Sequence, residues 1–224
     1  MPIVFNNSNK IIKVDLEYLL VERSYKMSKK RIFDLLLSIG GLAFLSPAFL
    51  TVAIVVKLDS KGPVFFRQVR VGRYGVPFRI HKFRTMIIDA ENTGRLTVGD
   101  DKRVTRSGAI LRKLKVDELP QLIDVITGKM SLVGPRPEVQ EFIDYYPTDI
   151  RKKILSVRPG ITDSASIKMV DENKILSQYD DPRQAYIDII LPIKQRYYLD
   201  YVDNNNLLLD LKLITKTIFK IIKR

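Results

Sequence analysis

Two adjacent carboxylates, Asp117 and Glu118, sit in the run Lys115-Val116-Asp117-Glu118-Leu119-Pro120-Gln121. Cations and a Gly/Pro turn follow closely in Gly128-Lys129-Met130-Ser131-Leu132-Val133-Gly134-Pro135-Arg136-Pro137. A carboxylate can act as a nucleophile or a hard metal ligand. Next to an anionic substrate it does either only if nearby cations offset the repulsion. Arg112, Lys115 and Arg136 are the cations at hand. Residues one apart in a helix interior diverge by about 100°. At a helix start, with Asp117 in the N-cap position, the two carboxylates converge, and the exposed amides there favour anions. Plain capping is the competing role for Asp117.

Elements that would position this pair can be read around it. A helix is expected from about Glu118 to Thr127, with Pro120 in its first turn and Gly128 just past its end. Ser107 to Lys115 reads as a short amphipathic helix. Val64 to Phe83 reads as a β-hairpin around Gly72-Arg73-Tyr74-Gly75, and its basic residues could line a phosphate groove. His81, the single histidine, reads as packed or hydrogen-bonded. Arg158-Pro159-Gly160-Ile161-Thr162 reads as a turn leading into a strand over 166–170, and 184–202 reads as helical. Asn6 to Asn9 suggests a loop, with an amphipathic helix over 15–25.

An uncharged run from Leu35 to Val56 measures roughly 33 Å as a straight helix, enough for a hydrocarbon core. Ser46-Pro47 interrupts it, and a kink or break is expected there. The serine hydroxyl can take up part of the freed backbone. Lys29, Lys30 and Arg31 precede the run; Lys57, Lys61, Arg67, Arg70 and Arg73 follow it. That bias favours both ends on the cytoplasmic side, as in a helix-break-helix that re-enters one leaflet. A kinked single span is the alternative. Leu207 to Arg224 carries Lys212, Lys216, Lys220 and Arg224 at four-residue spacing beside an apolar body, which suits either an interfacial helix or a packed surface helix.

With 38 Lys and Arg against 25 Asp and Glu, the net charge is +13, which predicts attraction to phosphates. The absence of cysteine removes disulfides and thiolate chemistry, and one histidine argues against a zinc cluster or a His-based triad. No P-loop, dinucleotide fingerprint or nucleic-acid motif is present, so nucleic acid is not an expected partner.

The order of these pieces closely resembles the bacterial sugar transferases, the monotopic polyprenol-phosphate phosphoglycosyl transferases. The resemblance rests on Lys30-Arg31-Ile32-Phe33-Asp34, the proline-broken run, Gly62 to Gln68, and Lys82-Phe83-Arg84-Thr85-Met86. It continues through Asp101 to Thr105, Leu111-Arg112, Asp117 to Gln121 and Met130 to Pro137, about residues 28 to 220 in all. It implies an α+β fold: a mostly helical cytoplasmic domain with a small β-hairpin. A re-entrant helix broken at Ser46 and Pro47 and amphipathic interfacial helices would attach that domain to the membrane. The expected division is an N-terminal extension (1–25), the membrane helix-break-helix (26–57), a catalytic domain (58–206) and the C-terminal helix (207–224).

The resemblance further implies transfer of a sugar-1-phosphate from a UDP-sugar to undecaprenyl (polyprenyl) phosphate with Mg2+, releasing UMP. This would be the first membrane step of surface glycoconjugate assembly (capsule, O-antigen or exopolysaccharide). Asp117 would be the nucleophile forming a covalent phosphosugar intermediate, and Glu118 the Mg2+ ligand. Arg112, Arg136, Lys82 and Arg84 would hold phosphate groups. The expected place is the cytoplasmic face of the bacterial inner membrane, with the phospholipid bilayer as partner; a homodimer stays open.

One departure falls after Thr162. Relatives often carry a Gly and a Trp-Ala-Gln or Trp-Gln element there, and this chain has Asp163-Ser164-Ala165-Ser166 and no tryptophan. Two other readings compete: a membrane-tethered basic protein binding anionic lipid or nucleic acid, and a glycosyltransferase that releases UDP.

Overall fold

The computed structural model describes residues 28–90, 96, 101–169 and 172–223. The loop and helix expected before residue 26 lie outside the described residues.

A long helix, α1 (Lys29–Asp59), opens the described chain, N-capped by Ser28. It is long and apolar enough to cross a membrane, judged by length and composition alone. Where the sequence predicts helix-break-helix, α1 runs continuously through Pro47. Proline at 47 leaves the carbonyl of residue 43 without its usual donor. The Ser46 hydroxyl donates to that Ala43 carbonyl at 2.8 Å, so the helix passes the proline without ending.

The hairpin is present in one constant register. Strands β1 (Phe65–Phe66) and β4 (Lys82–Phe83) pair antiparallel, as do β2 (Val69–Val71) and β3 (Pro77–Arg79). Tyr74 (φ 57°) and Gly75 (φ 79°) make its turn. Then come α2 (Arg106–Lys113), capped by Thr105, a 3-10 turn over Val116–Glu118, and α3 (Gln121–Ile126).

The parallel pair β5 (Ser131–Val133) and β6 (Gly160–Thr162) carries the Gly-Pro-Arg-Pro turn at its edge. The two backbones approach so closely that a Cβ on Gly160 would lie 2.1 Å from the Gly134 nitrogen. Only glycine allows that approach, and it fixes where Arg136 emerges. The strand expected over 166–170 is instead helix α6 (Ser164–Lys168). Asp163 accepts from the Ser166 amide at 2.8 Å, and this N-cap turns the chain into a helix before a strand can extend.

Between β5 and β6 lie α4 (Gln140–Ile143) and α5 (Thr148–Ile154). After α6 come α7 (Glu172–Leu176), α8 (Pro182–Ala185), a π-helical turn (Tyr186–Ile190), α9 (Leu191–Asn204) and α10 (Leu207–Ile222). The main core gathers Val71, Val139, Phe142, Ile143, Ile154, Leu176, Tyr186, Ile190 and Leu191.

Both halves of α1 rest on this domain. Near its start, Lys30 pairs with Asp210 at 2.5 Å, and Arg31 donates to the carbonyls of Val125 and Ile126. The buried Asp34 accepts from the Ser131 hydroxyl at 2.8 Å and the Leu132 amide at 3.2 Å. Near its end, Val56 packs with Phe83 and Leu111, and the rings of Phe49 and Phe83 meet edge to face at 5.3 Å. Between these docking points Phe44 is 84% exposed.

Candidate active site

Three elements converge on the carboxylate pair. The 3-10 turn presents Asp117 and Glu118, β4 supplies Lys82, and the turn after β5 supplies Arg136. Lys115, just before the turn, adopts a left-handed conformation (φ 57°). A lysine has no local side-chain bond to ease that conformation, so neighbouring packing must hold it. Asp117 is not the N-cap of α3 as the spacing predicts; Pro120 occupies that position. Val116 to Glu118 curls into its own tighter 3-10 turn first, in which Asp117 and Glu118 are both buried.

Glu118 is clamped. Lys82 Nζ donates to its Oε1 at 2.7 Å, and the Arg136 guanidinium forks onto both carboxylate oxygens. Burial alone would push Glu118 up, but Arg136 and Lys82 together hold it well below the usual carboxylate range. Arg136 rises well above the ordinary arginine value, chiefly through Glu118. Burial pulls Lys82 down, with Glu118 opposing.

Asp117 is treated differently. It is buried, and its Oδ1 has no hydrogen-bond partner. Burial pushes its carboxyl up, and the Glu118 charge adds to that; Lys82, Lys115 and Arg112 pull the other way. An upward shift makes the ionised carboxylate more basic than that of an ordinary aspartate, and its Oδ1 is left buried without a partner. Arg112, on α2, donates through Nε to the Thr85 hydroxyl at 2.9 Å. Gly108 of the same helix lies against the Thr85 carbonyl, where a Cβ would approach within 2.2 Å.

Asp117, Glu118, Lys82, Arg112 and Arg136 are therefore brought together. Arg84 is not. Its guanidinium is buried and donates to the carbonyls of Val56, Ser60, Lys61 and Pro63, closing off the end of α1. That corrects the phosphate-holding role expected from its place in the motif: β4 ends at Phe83, so Arg84 leaves the pleat that aims Lys82. Ser46 and Pro47 lie in the exposed middle of α1, away from the carboxylates.

Sequence reasoning gave no individual role to two residues here. Arg70 and Gln121 line a small cavity with Lys82, Arg136, Ile80 and Pro137. Gln121 was visible beside Pro120 in the motif, and Arg70 was one of several basic residues on an imperfectly alternating hairpin. His81 takes the role expected of it. Its Nδ1 meets Asp124 at 2.7 Å and its Nε2 meets Arg67 at 2.5 Å. A guanidinium only donates, so Nε2 accepts from Arg67, and Nδ1 donates to Asp124. This ties the hairpin to α3 one residue from Lys82.

Among the described residues no group of three or more His, Asp or Glu side chains forms a metal cage. The site instead offers one open carboxylate oxygen on Asp117 and a clamped Glu118.

The sequence pattern of the family described as Bacterial sugar transferase matches residues 25–224. This chain belongs to that family. It is 39% identical over 192 residues to the UDP-N-acetylgalactosamine-undecaprenyl-phosphate N-acetylgalactosaminephosphotransferase of Aeromonas hydrophila, covering 84% of this chain and 42% of that protein. It is 38% identical over 198 residues to the uncharacterized sugar transferase EpsL of Bacillus subtilis, covering 88% of each. A UDP-glucose:undecaprenyl-phosphate glucose-1-phosphate transferase of Caulobacter vibrioides is 36% identical over 196 residues, covering 85% of this chain and 68% of that protein. The chain thus spans less than half of the first of these relatives and most of the second.

Proposed function

We propose that this sugar transferase moves a sugar-1-phosphate from a UDP-sugar to undecaprenyl (polyprenyl) phosphate at the cytoplasmic face of the bacterial inner membrane. The observation that carries the reading is the unequal pair: Glu118 clamped by Lys82 and Arg136, and Asp117 left with a buried, unpartnered oxygen. The family relatives named for undecaprenyl-phosphate transfer supply the substrate class.

In this account an Asp117 carboxylate oxygen attacks the β-phosphorus of the UDP-sugar. The bond to the bridging oxygen breaks and UMP leaves with that electron pair, giving an aspartyl phosphosugar. A phosphate oxygen of the polyprenyl phosphate then attacks the same phosphorus and releases Asp117. Arg112, Lys82 and Arg136 offset charge on the phosphoryl oxygens, and arginine forks match that geometry. Two displacements let the water-soluble nucleotide depart before the lipid arrives.

The donor set fits Mg2+, which takes hard oxygens and commonly binds through one or two carboxylates plus substrate phosphates. Glu118 would hold it, exchanging part of its clamp by Lys82 and Arg136 for the metal. When bound, it would neutralise charge on the diphosphate.

The docking of both halves of α1 on one domain supports a membrane segment that enters and leaves the same leaflet, with the stretch around Phe44 in lipid. The exposed Leu208, Leu211, Ile218, Phe219 and Ile222 of α10 support an interfacial helix that sets the site at headgroup depth.

Product analysis tests the reaction. With Mg2+, polyprenyl phosphate and a panel of UDP-sugars, the detergent-purified protein should release UMP. UDP as the nucleotide product would overturn the reading in favour of direct sugar transfer.

A further inference from the structure

The four charged groups at the carboxylate pair cancel: Asp117 and Glu118 carry two negative charges, Lys82 and Arg136 two positive. A diphosphate arriving there adds negative charge that these four do not offset, and Arg112 and Lys115 are the further cations beside the pair. Arg70 and Gln121 stand against Lys82 and Arg136 in one small cavity. Gln121 is only 1% exposed, and its Nε2 has no partner. Arg70 donates from one terminal nitrogen to the Pro137 carbonyl at 3.0 Å, while its buried Nε has no partner. Two buried donor atoms left unpaired on residues that line one cavity cost stability unless something binds there.

Arg70 is also held from behind. Glu138, directly after the Pro-Arg-Pro turn, lies 4.0 Å from its guanidinium. Glu138 accepts from the Tyr186 hydroxyl at 2.8 Å, and Lys194 reaches both that hydroxyl, at 3.1 Å, and Glu172. Glu138, Tyr186 and Lys194 are each less than a tenth exposed, and Tyr186 belongs to the main core. None touches the carboxylate pair, so the transfer chemistry above leaves them without a task.

We propose that Arg70 and Gln121 are substrate-binding donors that hold the diphosphate of the nucleotide-sugar beside Lys82 and Arg136, and that Glu138 is a positioning residue that aims Arg70. This rests on the transferase reading above. The backbone register of β2 against β3 and the bond to Pro137 place the guanidinium on the cavity wall. Glu138 steadies it without filling its Nε. Gln121 reaches the same space from the first residue of α3, four residues on from Asp117.

Titration calorimetry on the detergent-solubilised full chain, with inorganic pyrophosphate, UDP and uridine as probes, tests the binding arm. The parent should bind pyrophosphate and UDP. Arg70→Gln should weaken both by about tenfold or more, the scale of one charge-assisted bond, and leave uridine unchanged. Arg70→Lys should restore part of the loss. Gln121→Met should weaken UDP binding while its thermal midpoint holds or rises, because an unpartnered buried amide has gone. Glu138→Gln should weaken pyrophosphate by a smaller factor and have no further effect in the Arg70→Gln background, the non-additivity expected of a residue acting through another.

In turnover, Arg70→Gln should raise KM for the UDP-sugar and leave KM for polyprenyl phosphate unchanged. The opposite split would assign the donors to the lipid and overturn the proposal. A parent without pyrophosphate affinity, or a folded Arg70→Gln that binds it as the parent does, would overturn it too; additive effects of Arg70 and Glu138 would remove Glu138 from it. Failure of the transferase reading shows separately, as UDP in place of UMP from the parent enzyme.

Discussion

Two buried carboxylate clusters in this molecule have the same ingredients and opposite bookkeeping. At the root of α1, Asp34 and Asp210 have every oxygen partnered: Asp34 by Ser131 and Leu132, Asp210 by Lys30 and the Tyr201 hydroxyl. At the 3-10 turn, both oxygens of Glu118 are paired while Asp117 keeps an unpartnered Oδ1, and Arg70 and Gln121, which line a cavity with Lys82 and Arg136, carry unpaired donors. A fully satisfied polar network stiffens the structure around it; a partly satisfied one is held open for something absent. The first cluster fastens α1 and α10 to the domain. The second is where, in the proposed reaction, a substrate would supply the missing partners.

The sharpest way to break that contrast is to replace one carboxylate in each cluster. Asp117→Asn should lower turnover by about 10³-fold or more, the scale of losing a nucleophile, while Asp210→Asn should keep most of its turnover per folded molecule. Equal losses would erase the distinction. Next in size, Glu118→Gln strands Lys82 and Arg136 without their anion and should cost about 3 kcal/mol of stability, read as a fall in the denaturant midpoint.

A smaller effect lies in pH. The Asp117 carboxyl is raised in the folded state, so that state holds its proton more tightly than the unfolded chain does. The stability linked to this group is complete below about pH 4 and is lost as pH rises through the raised value. In chelated buffer, Asp117→Asn should therefore melt above the parent at pH 7.5, with the gap closing toward pH 4. Asp210→Asn, which removes a paired charge, should melt below the parent at pH 7.5. Smallest of all, Leu208→Glu with Phe219→Glu on exposed α10 should leave stability within about 0.5 kcal/mol and weaken flotation with anionic vesicles.

Much of this was legible in the chain. The hairpin around Gly72 to Gly75, α2, and the stop at Gly128 (φ 82°) follow from local signals, because their turns and caps are built from neighbours in sequence. The convergence of Asp117, Glu118, Arg112 and Arg136 was legible through the motif order. The N-cap at Asp117 was misread because the competing 3-10 turn depends on the left-handed Lys115, for which lysine gives no sign. Arg84 was misread because motif adjacency does not reveal where a strand stops. Arg70 was legible only as one of the hairpin's basic residues that could line a phosphate groove, and Gln121 only as part of the motif. Their significance is an absence of partners, and that exists only once β2, α3 and the Pro-Arg-Pro turn have closed around one cavity.

The central claim is that Asp117 carries the phosphosugar between donor and acceptor. The most direct measurement is the intact mass of the detergent-purified protein after brief incubation with Mg2+ and UDP-sugars, without lipid acceptor, with Asp117→Asn run alongside. A phosphosugar adduct on the parent, absent from the variant and discharged by polyprenyl phosphate, is the predicted result. An unmodified parent that nonetheless turns over once the lipid is added, or an adduct that persists on Asp117→Asn, would contradict it.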